Sequence, residues 1–557
     1  MPGTRDNPYD LIVVGGGING AAIARDAVMR GLSVALFEMR DFSTGATWAS
    51  SGMIHGGLRY LSSDPEVTRL ACLDSGFIQQ IAPHLIFRIP FVLPWLDTGI
   101  TSKVIFELAE IYFDVYDRYQ PLKRGKKHTR MTPEEVRHIE PGIRSDVLGA
   151  ITMDEWGIDA QRLTVINAID AEERGADINT YHRVRKLLRD DNSTVCGVSV
   201  EDRVGGGARD VFGKVTFNAC GPWAMNFAQA QGIDSVRIRP GKGVHLMFAG
   251  RITNYAVIFD AIDGRQMFIC PHQNTTLVGT TDDDYYGDME QIPVLESEVA
   301  YMLQAAERMF PEIRRYPMIG TTVGCRATLH EWGPSESDLG RGHRIWDHEE
   351  SGAAGFMTMA GGKLASYRVM AEEATDAICK RLGGFGGACE TGSTPLPGGE
   401  AHDLTLESFT ELGLNGAAAR RILFRHGSRA ESIRKIMIDE PRTRALVDPL
   451  EPVTEAEIRH VVRTEHVVTV DDLKRRSRLG IASDGAARCA VRASQIVAEE
   501  LDIEPDLVPE LARDFLQSRW EDRRGIRRDE ATGMEAVSQA VAHLSAQSER
   551  PWPEGGG

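Results

Sequence analysis

Cysteine is sparse in this chain, with 8 in 557 residues, at Cys72, Cys196, Cys220, Cys270, Cys325, Cys379, Cys389 and Cys489. They form no CxxC pair and keep no ligand-like spacing to histidine, which argues against zinc and iron-sulfur sites. Reduced, cytosolic thiols and no metal are expected. Positive charge is also short: 63 Lys and Arg stand against 80 Asp and Glu, a formal net charge of -17. A nucleic-acid surface, which needs accumulated cations, is not expected, and any anionic ligand must be held by a local basic pocket. No run reaches the roughly 18 apolar residues of a membrane-spanning helix. The opening "MPGTRDNPYD" also lacks the basic-then-apolar layout of a secretory signal. The expected location is the cytoplasm, either free or peripheral on the cytoplasmic membrane face. The length suits two or three domains with separate cores.

What is present begins at residue 9. The β-branched run "YDLIVV" leads into "GGGING", and "AAIARDAVMR" has the small-residue composition of a helix. This is a strand, tight turn and helix. Gly15, Gly17 and Gly20 fit GxGxxG: the first permits the turn, the second admits a pyrophosphate to the backbone, and the third lets helix and strand close up. Ile18 and Asn19 stand at the helix entrance, whose N–H groups and dipole favour an anion. A second strand, "LSVALF", ends at Glu38, about where this fold places an acid on the adenosine ribose. The same carboxylate disfavours NADP by repelling a 2′-phosphate.

Two distant segments bear on the choice between NAD and FAD. "DVFGKVTFNACGPWA" reads as a strand ending at "NACGPW", and "GFMTMAGGKLASYRVMAEEATDAI" reads as strand, glycine turn and helix. A helix starting near Lys363 would aim its positive end at the N1/O2 edge of a flavin. "AGGKL" taken alone is equally an ordinary left-handed connection.

The segments "DLIVVGGGINGAAIARDA", "IHGGLRYL", "NACGPW", "GKGVHLMF", "VGTTDDDYYGD" and "GGKLASYR" together resemble the FAD-dependent glycerol-3-phosphate dehydrogenases, from about Tyr9 to about Leu382. The resemblance implies an α/β fold. A Rossmann-like FAD domain of the glutathione-reductase type is interleaved with a mixed-sheet substrate domain, and an all-α C-terminal domain follows. It implies that Arg59, Tyr60, His245, Arg326 and Lys363 line the substrate pocket, with His245, Arg326, Lys363 and Arg59 as the catalytic set. Arg344, in "RGHRIWD", is the nearest match to a phosphate-binding basic residue. The implied FAD contacts are Gly15, Gly17, Ile18, Asn19, Gly20, Glu38, Thr47, Ser50, Ser51, His55, Gly57, Val184, Ala219, Gly221, Trp223, Gly362, Lys363 and Leu364. The implied reaction oxidises sn-glycerol 3-phosphate to dihydroxyacetone phosphate, with electrons passed to quinone or an electron-accepting subunit. Relatives also suggest a homo-oligomer and peripheral membrane association. Another polyol phosphate, an amine or amino-acid substrate, and a flavin-bound scaffold are the competing readings.

The chemistry of the pocket follows from the reaction. A hydride must leave carbon while the hydroxyl proton passes to a base, so a group titrating near neutrality is expected at the hydroxyl. His245, in "RIRPGKGVHLMF", is the candidate, although a lone histidine in a strand is commonly a satisfied core residue. A phosphate dianion inside a protein requires cations, and the planar arginine fork suits its oxygens. Arg59 beside "HGG" and Arg326 in "TTVGCRATL" are placed for this. The plain alternatives are a surface Arg59 paired with Asp64 or Glu66 and an Arg326 ion pair at a strand end.

Domain boundaries are expected as FAD domain at 1–85, 151–235 and 351–391, a cap segment at 86–150 and a substrate domain at 236–350. A Pro/Gly linker at 392–400, a helical domain at 401–545 and a disordered tail at 546–557 complete the chain. "SKVIFELAEIYFDVYDRYQ" is amphipathic and the cationic "LKRGKKHTR" follows, a pair suited either to anionic lipid or to a core-facing helix with a solvated loop. "STGATW" is similar to anaerobic members of the family and "SSGMIHGGLRYL" to aerobic ones. "GCRATL" lacks the proline that commonly follows the family arginine, and Cys489 alone stands where a cysteine pair would be needed for an iron-sulfur role.

Overall fold

The computed structural model describes residues 2–61, 64–333, 342–482 and 485–526, with the side chains of Arg59 and Arg524 outside that description. The expected disordered tail at 546–557 therefore lies outside the described residues. The motif "YDLIVV" is the strand β1 (Tyr9–Val14) and "VALF" is β2 (Val34–Phe37); between them runs helix α1 (Ile18–Met29), which starts three residues earlier than its composition suggests. β1 is apolar on both faces because both are covered. Leu11 and Val13 pack with α1, and Ile12 and Val14 pack on the opposite side with Phe37, Val198 and Phe356. Two-sided burial is what a central parallel strand requires.

The first sheet runs His343–Asp347, Phe356–Gly361, Ala208–Asn218, β1, β2, Asp177–Asn179. Along this path all neighbours are parallel except the antiparallel edge strand His343–Asp347. The second is a nine-stranded mixed sheet. Near one end, the strand Ile238–Ala249 pairs along its length with Met318–Leu329, and β3 (Ile86–Leu96) pairs with Val147–Ile158. The chain passes between the two sheets repeatedly, which gives the interleaved α/β architecture. The strand Val147–Ile158 lies wholly in the second sheet, so the return to the first sheet begins near Asp159 and not at 151.

Beyond the linker the chain is mostly helical, with one short two-stranded ladder at Leu446–Asp448 and Val453–Thr454 among the described residues. This part is locked to the domain of the first sheet by buried pairs: Arg162 on the helix Ala160–Glu173 meets Glu465, and Asp41 meets both Arg475 and Arg476. Asp41 follows Glu38 by three residues, so the C-terminal helices grip the loop that borders the cofactor end of the fold.

The amphipathic segment forms helix α2 (Ile100–Tyr116). Phe106, Phe113 and Tyr116 point inward, whereas Ile100, Val104, Ile105, Leu108 and Ile111 are exposed, Ile100 to 83%. The basic run after it is less of a surface patch than its composition suggests, because Lys123 is fully buried and paired with Glu155. Arg118, Arg124, Lys126 and Lys127 are not drawn inward in this way.

Candidate active site

A cavity of about 1420 Å³ lies between the two sheets. At one end the turn after β1 is shaped by glycine. Gly15 has φ +108°, and a Cβ on Gly20 would stand 1.9 Å from the Gly15 carbonyl oxygen. Gly20 thus serves helix–strand contact and does not line the cavity, while Gly15, Gly17, Ile18 and Asn19 do. No acidic residue occupies the first turn of α1, so the helix brings no carboxylate of its own to its positive end. Thr47 Oγ1 accepts from the Ile18 N–H at 3.3 Å. The Glu38 carboxylate accepts from Gly16 N–H at 2.6 Å and Arg40 N–H at 2.9 Å. Burial raises its pKa, opposed by those two N–H groups. The remaining residues expected around the cofactor (Ser50, Ser51, His55, Gly57, Val184, Ala219, Gly221, Trp223, Gly362, Lys363 and Leu364) also border this cavity. Gly221 and Gly362 have φ of +56° and +79°, conformations that let bare backbone face a ligand. A helix N-terminus without acids, a terminal acid on β2 and three glycine-lined turns fit a dinucleotide with a long second half, as in FAD.

The other end gathers the cations and the histidine. His245 lies mid-strand, opposite Thr322 and Gly279 on its two neighbours. Its Nδ1 is 3.2 Å from Thr322 Oγ1, and its Nε2 is buried with no hydrogen-bond partner among the described residues. Gly279 is required beside it, since a Cβ there would come within 2.6 Å of His245 Cδ2. Burial first, then the Arg326 guanidinium and His272, pull the His245 pKa down to about 3. A base titrating near neutrality is the expectation from the reaction; the structure instead holds a neutral imidazole throughout the physiological range. An acceptor nitrogen is therefore ready without a prior deprotonation.

Arg326, on the strand beside His245, donates from Nη1 to Asp282 Oδ1 at 2.5 Å. Its fork passes over Gly243, where a Cβ would be 2.8 Å from Nη2. Lys363 caps the turn Leu364–Ser366 and holds its Nζ 4.7 Å from the centre of the Tyr60 ring. The same Nζ would be 2.9 Å from a Cβ on Gly57. Tyr60, His245, Arg326 and Lys363 thus share one cavity. The Arg59 backbone sits in the short turn Leu58–Tyr60, and its side chain lies outside the described residues.

Arg344 does not join this group. It is exposed on the edge strand His343–Asp347, its guanidinium is 5.1 Å from the Trp346 ring, and it is absent from the cavity wall. Strand alternation and an edge position turn its side chain toward solvent, which removes the basis for a phosphate contact. Two carboxylates that sequence reading does not single out do belong here. Asp282, within "VGTTDDDYYGD", orients Arg326; the motif is visible in the sequence but not which of its four aspartates turns inward. Glu155 borders the cavity beneath Gly56, and nothing local in "MDEWGID" signals it.

Known proteins bear on this geometry directly. A family described as "FAD dependent oxidoreductase" matches residues 10–368, and one described as "C-terminal domain of alpha-glycerophosphate oxidase" matches residues 389–506. A subunit of the anaerobic glycerol-3-phosphate dehydrogenase of Escherichia coli (strain K12) is 32% identical over 529 residues, covering 93% of each chain. The aerobic glycerol-3-phosphate dehydrogenase of Bacillus subtilis (strain 168) is 32% identical over 446 residues, 76% of this chain and 79% of its own. The fold is that of the Bacillus halodurans glycerol-3-phosphate dehydrogenase solved with FAD, at TM-score 0.72 and 24% identity over 94% of this chain and 97% of that one. Anaerobic and aerobic relatives share the family: this chain belongs to the FAD-dependent glycerol-3-phosphate dehydrogenases.

Proposed function

We propose that the cavity oxidises sn-glycerol 3-phosphate to dihydroxyacetone phosphate and that the electrons pass on to a quinone or an electron-accepting subunit. The observation that carries this reading is the buried Nε2 of a neutral histidine, without a hydrogen-bond partner among the described residues, in the same cavity as Arg326 and Lys363. FAD, when bound, supplies the acceptor for the hydride from the substrate's secondary carbon. The substrate hydroxyl gives its proton to His245 Nε2 as the carbonyl forms. Arg326, steadied by Asp282, and Lys363 hold the phosphate and orient the alcohol.

Charge explains why the proton moves only with substrate in place. An imidazolium beside the Arg326 guanidinium in a buried site is opposed by desolvation and like-charge repulsion. A phosphate dianion between them supplies the missing negative charge, so arrival of the substrate is what lets His245 take a proton. The two cations also oppose a substrate ammonium, which counts against amine and amino-acid oxidation. The holoprotein is therefore expected to be yellow and to bleach anaerobically with sn-glycerol 3-phosphate, and not with amino acids. A flavin that stays oxidised with sn-glycerol 3-phosphate removes this substrate; a panel of other polyol phosphates then locates the right one.

A peripheral membrane position belongs to the same proposal. No helix among the described residues is long and apolar enough to cross a membrane. The outer stripe of α2 is exposed and apolar, and its inner side supplies Ala109, Tyr112 and Phe113 to the cavity wall, beside Phe91, Leu93 and Trp95. An apolar arm of the cavity beneath an apolar outer surface suits delivery of electrons to a lipophilic acceptor at a bilayer. Binding to anionic phosphatidylglycerol-containing vesicles in a flotation assay is expected, with Leu108→Asp abolishing it and leaving dye-linked turnover intact. Equal flotation of the Leu108→Asp variant would dismiss α2 as the contact.

A further inference from the structure

The glycine pair Gly56 and Gly57 is sandwiched between the substrate end of the cavity and a buried polar cluster. On the cavity side, Lys363 and Tyr60 close over Gly57, which has φ +73°. On the other side a Cβ on Gly56 would stand 2.4 Å from both Cys72 Sγ and Tyr116 Oη. Glu155 joins the two sides. Its Oε2 accepts from the Gly56 N–H at 3.1 Å and pairs with Lys123 Nζ at 2.6 Å, while its Oε1 accepts from the Tyr116 hydroxyl at 2.5 Å. Lys123 Nζ also donates to the Asp154 carbonyl at 2.6 Å and lies 3.0 Å from Tyr116 Oη. Glu155 is 1% exposed, Lys123 and Tyr116 are 0% exposed, and Glu155 borders the cavity itself. Burial and the neighbouring carboxylate push the Tyr116 phenol well above its usual range, so it remains a donor.

A buried Lys–Glu pair is a poor device for stability alone, since apolar residues of similar volume commonly do as well or better. What an apolar replacement cannot supply is an acceptor aimed at one backbone N–H. We propose that Glu155, braced by Lys123 and Tyr116, is a positioning residue for the reaction: through the Gly56 N–H it fixes the His55–Gly56 peptide and thereby spaces His55, Tyr60 and Lys363 against flavin and substrate. This rests on the reaction proposed above, and it explains why Glu155, on a strand of the second sheet, is ion-paired to Lys123 directly beneath a glycine pair of the first domain.

The experiment uses the full-length holoenzyme in four forms: wild type, Glu155→Gln, Tyr116→Phe, and the apolar double variant Lys123→Met/Glu155→Met. Anaerobic flavin reduction by sn-glycerol 3-phosphate, visible circular dichroism of the bound flavin, FAD content and Tm are measured for each. A misplacement of about 1 Å costs on the order of 100-fold in rate. The double variant is therefore expected to keep FAD and Tm while losing about 100-fold in kcat/KM, with an altered flavin dichroism. Glu155→Gln retains an oxygen for Gly56 N–H and is expected to return to within about tenfold of wild type. Tyr116→Phe, which removes only one brace, is the informative variant if the double one does not fold, and a fall of several-fold with changed dichroism is expected. Wild-type kcat/KM and unchanged dichroism in the folded double variant, or in Tyr116→Phe where the double variant is lost, overturn the proposal. If the wild type itself is not reduced by sn-glycerol 3-phosphate, the substrate reading has failed, and the dichroism comparison still decides whether Glu155 sets the geometry around the flavin.

Discussion

His245→Asn is expected to leave a folded, yellow protein whose flavin reduction by sn-glycerol 3-phosphate slows by about 10²–10⁴-fold, the range for loss of a positioned proton acceptor. The side chain lies between Thr322 and Gly279 and makes one polar contact, through Nδ1. Asparagine fills most of that space and can still meet Thr322, but its amide is no base. The pH dependence is equally specific. Burial and the Arg326 guanidinium hold the His245 pKa down to about 3, so before substrate arrives the imidazole is already neutral between pH 5 and 8. The acidic limb of kcat/KM in that range should then follow the second ionisation of the substrate phosphate, near pH 6 for phosphate monoesters, since the dianion is what the cations receive. Bound dianion raises the imidazole pKa, so the corresponding limb of kcat lies above pH 3 and is absent from His245→Asn. Anaerobic stopped-flow reduction across pH 5–9 reads both. A variant that keeps wild-type rates removes His245 from the chemistry and returns it to the role of a packed core histidine.

The parts of this protein legible in the sequence are those whose cause is local. GxGxxG, the two-sided apolar run Tyr9–Val14 and the acid at Glu38 each follow from a few adjacent residues, and the structure places them together. The first turn of α1 is harder to read because Ile18, Gly20 and the alanines carry little periodicity of their own. The substrate end is different in kind. His245 and Lys363 are separated by more than a hundred positions, and only the family resemblance brings them to one cavity. Where even that fails, the missing information is tertiary. Asp282 acquires meaning from Arg326, 44 residues on, and Glu155 from Gly56, 99 residues back. Lys123 sits in a run of cations that reads as a solvated patch, yet a buried carboxylate draws this one lysine inward. Arg344 shows the converse: residue type and nearby motif suggest a phosphate contact, while the parity of an edge strand turns the side chain away.

Arg326→Leu carries the largest expected loss of substrate recognition. Truncating one member of a desolvated, hydrogen-bonded charge pair costs about 2–5 kcal/mol, so kcat/KM for sn-glycerol 3-phosphate should fall roughly 30- to several-thousandfold at 1.4 kcal/mol per decade. Part of that loss comes from the residue left behind. Asp282 has a largely buried side chain, and without Arg326 its carboxylate faces the approaching phosphate with the wrong sign. The double variant Arg326→Leu/Asp282→Asn removes this repulsion and should recover about tenfold relative to Arg326→Leu, consistent with the one or two kcal/mol typical of coupled neighbours. It should not recover the remainder, because no guanidinium is restored. Unphosphorylated glycerol supplies the control: any flavin reduction it gives does not use the phosphate cradle and should change little in either variant. A wild-type kcat/KM for sn-glycerol 3-phosphate in Arg326→Leu would mean that the phosphate is held elsewhere, and Arg326 and Asp282 would then be an ion pair that stiffens the strand beside His245.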